Sequence, residues 1–182
     1  MFAILFYDKK YCSGKWFSGK YYGFASTGWY WVYHDLKNCL KQQVNMGVPW
    51  PVSSRVTVHG AHNIVFHPDD LNNFQGFGNY YQAIGEISIG RGTYIAPNVG
   101  IITANHDLIN LDRHLASQPV TIGEQCWIGM NSVILPGVTL GKHTIIGAGS
   151  VVTKSFPEGY CVIAGNPAKL IHKLEGTEND QN

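Results

Sequence analysis

The sequence predicts an all-β solenoid, a parallel β-helix built from hexapeptide repeats, and three observations support this fold class. Aliphatic residues recur every six positions between residues 120 and 154, and turn-tolerant residues recur at fixed offsets from them. The chain also contains 21 glycines and 8 prolines. A period of six fits neither a helix nor a hairpin meander, whose side chains alternate every two residues. Each hexapeptide would supply one short strand and one turn, and three would complete a triangular coil.

The repeat position carries only aliphatic residues, which would stack inside the prism: Ile122, Ile128, Ile134, Leu140, Ile146 and Val152. A second run in the same phase has Ile89, Ile95 and Ile101, and a weaker start has Val58 and Ile64. Glycine often follows the aliphatic residue, because a sharp corner needs either positive φ or close backbone approach. The alternative is an ordinary β-sandwich with this spacing by chance, which six consecutive positions in register disfavour.

Length and composition predict one compact domain, because the chain has 182 residues of which 45% are hydrophobic. A net charge of +1 with 14% charged residues does not supply the basic face that nucleic-acid binding requires. The four cysteines form no CxxC pair, which is typical of a reduced, cytoplasmic protein without a zinc site. The apolar segment 1–7 is too short for a membrane span, so no signal peptide or transmembrane segment is expected.

Three segments closely resemble the hexapeptide-repeat acyltransferases: "IGRGTYIAPNVGIITANHD", "IGEQCWIGMNSVILPGVTLGKHTIIGAGSVVTKSFPEG" and "VIAGNPAKLI". The resemblance covers roughly residues 54–172. It is strongest to O-acetyltransferases of capsule and O-antigen synthesis, and extends to the maltose, galactoside and nodulation-factor acetyltransferases. The resemblance implies a left-handed parallel β-helix, a homotrimer with active sites between neighbouring subunits, and acetyl-CoA as the donor.

A loop is predicted at residues 104–119, because the 21 residues from Ile101 to Ile122 are not a multiple of six. Solenoids commonly carry function on such extruded loops. In the resembled family a histidine opens this loop and faces the thioester of acetyl-CoA, which implies that His106 is the general base. An imidazole can take a proton from an acceptor hydroxyl as its oxygen attacks the thioester, and can then pass the proton to the leaving thiolate.

Three more residues are candidates for the catalytic site. Asn105 and Asp107 flank the histidine and either orient its imidazole or hold the loop. Asn79, in "FGNYYQA", resembles an asparagine that positions the acceptor or the acetyl group in relatives, with a corner asparagine as the alternative. A metal site like that of the solenoid carbonic anhydrases would need other spacings than that of His106 and His114, so no metal is expected.

By the same resemblance the donor would lie in an extended groove with an apolar wall and basic residues near its phosphates. The residues expected along it, from the pantetheine arm to the adenine end, are Trp127, Gly129 and Met130 of one subunit, Ala148, Thr153 and Lys154 of the next, and Asn166, Pro167 and Lys169. Backbone amides at glycine corners would pair with the amides of the pantetheine. Trp127 either walls off the thioester or packs in the trimer, and Met130 replaces a small polar residue of relatives.

Residues 1–53 lack the repeat, hold more than half of the aromatic residues and are expected to cap the first coil, because solenoid ends require covers. A three-to-four spacing predicts one amphipathic helix through Trp29, Tyr33, Leu36, Leu40 and Val44. The mixture of aromatic residues and lysines also suggests contact with the inner face of a membrane. Capping, trimer contact and sugar stacking are the alternatives for these aromatic residues.

The predicted organisation is therefore a cap at residues 1–53, a β-helix at 54–166, and a short helix with a disordered tail at 167–182. The predicted function is O-acetylation of a saccharide hydroxyl, on a surface polysaccharide or its precursor, in the cytoplasm. N-acetylation of an amino sugar is the alternative within catalysis. A non-catalytic trimeric scaffold is the alternative outside it.

Overall fold

The computed structural model of the protein describes residues 6–18 and 27–175. In these ranges the chain forms one α-helix, α1 (Thr27–Gln42), and three 3₁₀ helices, Lys9–Cys12, Ala61–Asn63 and Pro68–Phe74. Its strands are β1 (Thr57–His59), β2 (Ile64–Phe66), β3 (Tyr80–Gln82), β4 (Ile87–Ile89), β5 (Tyr94–Ile95), β6 (Gly100–Ile102), β7 (Val120–Ile122), β8 (Trp127–Ile128), β9 (Val133–Ile134), β10 (Thr139–Leu140), β11 (Thr144–Ile146), β12 (Val151–Val152), β13 (Cys161–Gly165) and β14 (Ala168–Lys173).

The strands form three sheets, because each strand pairs with the one that lies a full coil away. Sheet A has the order β1-β3-β6-β9-β12, sheet B the order β2-β4-β7-β10, and sheet C the order β5-β8-β11-β13-β14. The strands pair in parallel, except that β13 and β14 are antiparallel. Ile128 pairs with Ile146 and Ile134 with Val152, so partners are three hexapeptides apart. The predicted parallel solenoid is confirmed.

The core of the prism consists of the aliphatic residue of each hexapeptide, stacked on its counterpart in the next coil. These side chains are at most 4% exposed: Ile89, Ile101, Ile122, Ile128, Ile134, Leu140, Ile146 and Val152. Burying one such side chain stabilises the fold by about 1.5–3 kcal/mol. The six-residue period is therefore the pattern of the hydrophobic core.

Each corner of the prism depends on two different residues. The third residue after the aliphatic one is left-handed, with φ between 55° and 61° at Gln125, Asn131 and His143. The glycine directly after the aliphatic residue instead permits close approach of the coils. A Cβ atom on Gly123 would lie 2.6 Å from the carbonyl carbon of Gly141. Of the two reasons predicted for this glycine, close backbone approach is the one that applies here.

Aromatic side chains from the N-terminal region pack on the first coil. Trp50 is fully buried, and its ring centroid lies 5.1 Å from those of Phe66 and Phe74. Tyr11 stacks on Phe66 at 4.7 Å, and Phe74 lies 4.9 Å from Tyr81. This cluster closes the apolar interior of the prism at its N-terminal end, where the coil would otherwise expose core side chains to water.

The helix α1 buries only part of the face that the sequence predicts. Val32 and Cys39 are buried, whereas Tyr33 and Leu40 are 56% and 43% exposed. The helix lies close to the chain before the first coil, and the thiol of Cys39 donates to the carbonyl of Val52 at 3.4 Å. Trp29 and Leu36 of the predicted stripe, and Val44 just after the helix, are half-buried and pack against the core. The predicted stripe is therefore correct at these three positions and wrong at Tyr33 and Leu40.

The C-terminal segment is a strand, which corrects the predicted short helix at 167–182. β13 and β14 form a hairpin in which Ala164 pairs with Lys169. The added strand satisfies backbone groups at the open edge of sheet C, which a helix could not do. The predicted tail falls on residues 176–182, which lie outside the described residues, as do residues 19–26 of the aromatic segment.

Of the aromatic residues predicted to contact a membrane, four pack in pairs, whereas Tyr30 and Tyr33 are exposed. The rings of Trp16 and Trp31 lie 4.9 Å apart, and those of Phe17 and Trp29 lie 5.3 Å apart. Over residues 6–18 and 27–175, none of the helices has the length and apolar character that a membrane crossing would need.

Candidate active site

The extruded loop spans residues 103–119 and leaves the prism between β6 and β7, one residue earlier than predicted. Its root is closed by hydrogen bonds to the neighbouring coil and across the loop. The hydroxyl of Thr103 donates to the carbonyl of Gln82 at 2.6 Å, and the backbone N–H of Ala104 donates to the side-chain oxygen of Gln82 at 3.1 Å. The N–H of Gln118 donates to the carbonyl of Thr103 at 2.7 Å. These bonds fix where the loop leaves the coil.

The loop is a short antiparallel ribbon. The N–H of Leu115 donates to the carbonyl of Asn105 at 2.9 Å, and the N–H of Asp107 donates to the carbonyl of Arg113 at 2.8 Å. The bridge between these two bonds places His106 directly opposite His114. The position of His106 is therefore defined by backbone hydrogen bonds, although its side chain is exposed.

One hydrogen bond selects the tautomer of the neutral His106 imidazole. Its Nδ1 atom lies 2.7 Å from the carbonyl oxygen of Leu111. Because a carbonyl oxygen can only accept, Nδ1 carries the proton and Nε2 keeps the lone pair. The carbonyl of Leu111 thus orients the ring and would also stabilise the imidazolium that forms when Nε2 takes up a proton.

Asp107 and Asn105 hold the loop, which was one of the two roles predicted for them. The Oδ1 atom of Asp107 accepts hydrogen bonds from the backbone N–H groups of Ile109 and Asn110, at 2.8 and 3.1 Å. These bonds, that of Asn110 first, hold the pKa of the Asp107 carboxyl below its usual value. Asn105 contributes its backbone carbonyl to the ribbon. The carboxylate therefore shapes the turn that carries Leu111 back towards His106.

Asn79 lies inside the coil, so the prediction that it belongs to the catalytic site is wrong. It is 2% exposed, its Oδ1 atom accepts from the N–H of Val99 at 3.1 Å, and its amide nitrogen lies 3.5 Å from the hydroxyl of Tyr81. It is the corner asparagine of the alternative interpretation. Gln82, three positions later, is the residue of this segment that contacts the loop root. Its outward position on β3, beside the strand that enters the loop, was the signal available in the sequence.

The predicted donor-binding residues lie on two different corners of the prism. Met130 and Ala148 occupy successive coils of the corner between sheets C and A, where the N–H of Gly149 donates to the carbonyl of Met130 at 2.8 Å. Asn166 and Pro167 continue this corner as the exposed turn between β13 and β14. The structure therefore brings these four residues into one column.

Thr153 and Lys154 lie on the corner between sheets A and B, from which the loop also leaves. Both are exposed, and they follow β12, which is two strands from β6 in sheet A. At a strand spacing of about 4.8 Å, they lie about 10 Å along the axis from the loop root. Lys169 is exposed on β14 in sheet C. Within one chain, these lysines do not share a corner.

Trp127 and Gly129 differ in their access to a ligand. Trp127 is 57% exposed on the outer face of sheet C, which leaves both of its predicted roles open. Gly129 is buried, its N–H donates to the carbonyl of Ile146 at 2.9 Å, and an added Cβ would lie 2.5 Å from that oxygen. Stacking of the coils therefore already uses the N–H of Gly129, so the predicted pairing of glycine-corner amides with the pantetheine would have to use other backbone groups.

The tip of the loop is apolar and open to solvent. Leu108 is 91% exposed, Ile109 98% and Leu111 68%. A contiguous exposed apolar surface of this kind marks an interaction site. In the part of the chain that the structure describes, no group of three or more His, Cys, Asp or Glu side chains could hold a metal ion.

Comparison with known proteins agrees with this architecture. Residues 119–154 match the family model described as bacterial transferase hexapeptide (six repeats). Galactoside O-acetyltransferase of Escherichia coli K12 is 41% identical over 91 residues, which cover 48% of this chain and 44% of the relative. A protein of the same organism, assigned as an acetyltransferase of colanic acid biosynthesis, is 38% identical over 110 residues, 60% of this chain and 56% of the relative. The chain spans about half the length of the curated relatives it matches.

Among solved structures, a maltose O-acetyltransferase from Clostridium difficile 630 is 40% identical, with a TM-score of 0.51 and a match that covers 54% of each chain. The chain is therefore similar to hexapeptide-repeat acetyltransferases over about half of its length, and it carries the matched hexapeptide repeat at residues 119–154.

Proposed function

We propose that the chain is an acetyl-CoA-dependent O-acetyltransferase that acts on a saccharide hydroxyl. The observation that carries this proposal is His106, held on a hydrogen-bonded ribbon with Nδ1 bound to Leu111 and Nε2 left with its lone pair. The similarity to galactoside and maltose O-acetyltransferases supports the sugar acceptor. The similarity to a colanic acid biosynthesis protein supports a surface polysaccharide or its precursor.

His106 would act first as general base and then as general acid. Its Nε2 atom takes the proton of the acceptor hydroxyl while the hydroxyl oxygen bonds to the thioester carbonyl carbon. The imidazolium then returns this proton to the sulfur as the carbon–sulfur bond breaks, giving an acetyl ester and free coenzyme A. The Leu111 carbonyl accepts a hydrogen bond from Nδ1–H throughout, which stabilises the charged ring. Since one group moves the proton in both directions, no covalent enzyme intermediate is needed.

The donor is proposed to lie between two chains of a homotrimer of left-handed coils. Met130 and Ala148 lie on one corner column, whereas Lys154 and the loop lie on another, separated by the width of sheet A. A neighbouring chain could set one column against the other and form a groove with a basic end. The apolar loop tip supports this assembly, because Leu108 and Ile109 would be covered by the neighbour.

The test is release of thiol from acetyl-CoA by the purified protein, with a panel of sugars, nucleotide sugars and surface oligosaccharides. His106→Ala is compared with wild type and with His62→Ala, a matched exposed histidine on the first coil. We expect acceptor-dependent release that falls by about 10²–10⁴-fold in His106→Ala alone, the usual contribution of a general base. Release only with amino sugars would favour N-acetylation. No release and no acetyl-CoA binding would leave a scaffold as the function.

A further inference from the structure

A cavity of about 510 Å³ lies between α1 and the start of the first coil. Its lining includes Tyr30, Asp35 and Asn38 from the helix, and Ser53 and Arg55 from the chain that enters β1. This volume lies within the range of small-molecule sites, about 300–1,000 Å³. Hydrogen-bonding side chains dominate the lining, so the cavity suits a polar ligand.

Asp35 is the group in this cavity that most needs a ligand. Its side chain is 9% exposed, its Oδ1 atom lies 3.6 Å from Nδ1 of His34, and its Oδ2 atom has no hydrogen-bond partner. Buried polar atoms in native proteins nearly always have a partner, so an orphaned carboxylate oxygen calls for one that the chain itself does not supply. The Oδ2 atom itself is closed off from solvent, so a ligand hydroxyl would contact Asp35 at the part of its side chain that lines the cavity.

The other groups of the cavity indicate an uncharged ligand with many hydroxyls. Arg55 also lines the cavity and offsets the charge of Asp35, so no net charge is presented. The side chain of Gln42 donates to the hydroxyl of Ser54 at 3.2 Å, which adds both donor and acceptor capacity. Tyr30 stacks on His34 with ring centroids 4.8 Å apart and remains 54% exposed. An exposed aromatic ring beside such polar groups matches a sugar, which has apolar C–H faces and a rim of hydroxyls.

A second cavity of about 370 Å³ adjoins the first at Ser54, which lines both. It follows the edge of β1 past Asn45 and Thr57 to His59. His59 pairs with Gln82, the residue that holds the root of the loop. Together these two cavities, called the groove below, extend from Asp35 towards the corner from which the loop of His106 leaves.

We propose that this groove binds saccharide, and that it holds the part of an oligosaccharide acceptor beyond the sugar that is acetylated. The identity of the ligand as acceptor rests on the proposed function. Saccharide binding in the groove does not, because it requires neither acetyl-CoA nor His106. The groove would make the enzyme prefer an oligomeric or polymeric acceptor over a free monosaccharide.

Binding is tested without acetyl-CoA, on an array of bacterial surface oligosaccharides from disaccharides to octasaccharides. We expect wild type and His106→Ala to bind a common subset of these glycans. Asp35→Asn keeps the shape of the side chain but weakens it as a hydrogen-bond acceptor. Tyr30→Ala removes an exposed ring. We expect each variant to bind these glycans at least tenfold more weakly than wild type. Glu158→Gln, an exposed carboxylate elsewhere on the coil, is the matched control and should bind as wild type does.

Two results would overturn the groove proposal. One is that the folded wild-type protein binds no glycan of the array. The other is that both Asp35→Asn and Tyr30→Ala bind as wild type does; since Tyr30 is exposed, misfolding cannot account for a loss in that variant. Glycan binding without any acetyl transfer would refute the proposed function and leave the groove standing. Acetyl transfer with unchanged KM for oligosaccharides in both variants would refute the groove proposal and leave the proposed function standing.

Discussion

The imidazole rings of His106 and His114 face each other across the loop ribbon, with centroids 4.2 Å apart and an interplanar angle of 37°. His114 touches the ring of the proposed base and is therefore a candidate positioning residue. We expect His114→Ala to lower kcat by about twofold to tenfold with little change in KM, because a stacked ring pair contributes about 0.5–1.5 kcal/mol. His114→Phe should restore most of the rate, since it keeps the ring. Equal rates in the two variants would show that stacking does not position His106.

Asp107 is expected to control the order of the loop. Hydrogen bonds to the carboxylate lower its pKa. The bonds are therefore fully present at pH values above the usual aspartate pKa, and they are lost as the pH falls through the lowered pKa. Asp107→Ala should reduce acetyl transfer and the hydrogen-exchange protection of the Ile109 and Asn110 amides. Asp107→Asn should preserve both, because its amide oxygen can accept the same bonds. Protection that is unaffected by Asp107→Ala would contradict this role.

Asp35 is expected to make the fold less stable as the pH rises. Burial raises the pKa of its carboxyl to about 6. Because the folded state holds the proton more tightly than the unfolded chain, ionisation costs stability progressively between about pH 4 and pH 6, by an amount on the order of 3 kcal/mol. Asp35→Asn should therefore be more stable than wild type at pH 8, and the difference should vanish near pH 4. Thermal unfolding at several pH values tests this, and an unchanged difference across the range would contradict it.

The stacked aliphatic core predicts a large loss of stability when one of its inward side chains is truncated to alanine. Ile134 is fully buried, so Ile134→Ala should lower the free energy of unfolding by about 2–5 kcal/mol. Val65, which is 55% exposed on β2, provides the control, and Val65→Ala should have little effect. Denaturant unfolding of the two variants is the measurement. Similar losses in both would mean that the inward stack does not dominate stability.

The close approach of the coils predicts that alanine substitution lowers stability at a corner glycine but not at a glycine in open space. A Cβ on Gly123 would meet the backbone of Gly141 and Lys142 at 2.6 Å, so Gly123→Ala must push two coils apart. We expect a loss of about 1–3 kcal/mol, which is typical of overpacking. At Gly76 no atom lies within 4 Å of the added Cβ, and Gly76→Ala should be tolerated. Denaturant unfolding of both variants checks this, and a tolerated Gly123→Ala would show that the coils can separate at no cost.

The sequence by itself determined the solenoid and the position of the loop in which His106 lies. A repeat of six residues is a local pattern, and each inward position, such as Ile128 or Ile146, needs only its own coil and the next to be buried. The loop was predictable from the number of residues between two inward positions, because a segment whose length is not a multiple of six cannot stay in the coil. These features were predictable because the interactions that produce them repeat along the chain at a fixed separation.

The tertiary structure alone decided which side chains face a ligand. Asn79 and Gln82 are three residues apart, yet one is buried at a corner and the other holds the loop root. The buried face of α1, the strand at Ala168–Lys173 and the groove beside Asp35 likewise depend on segments that meet only when the chain folds. Such contacts have no period in the sequence, since they are set by the space left between a non-repeating segment and the prism on which it packs.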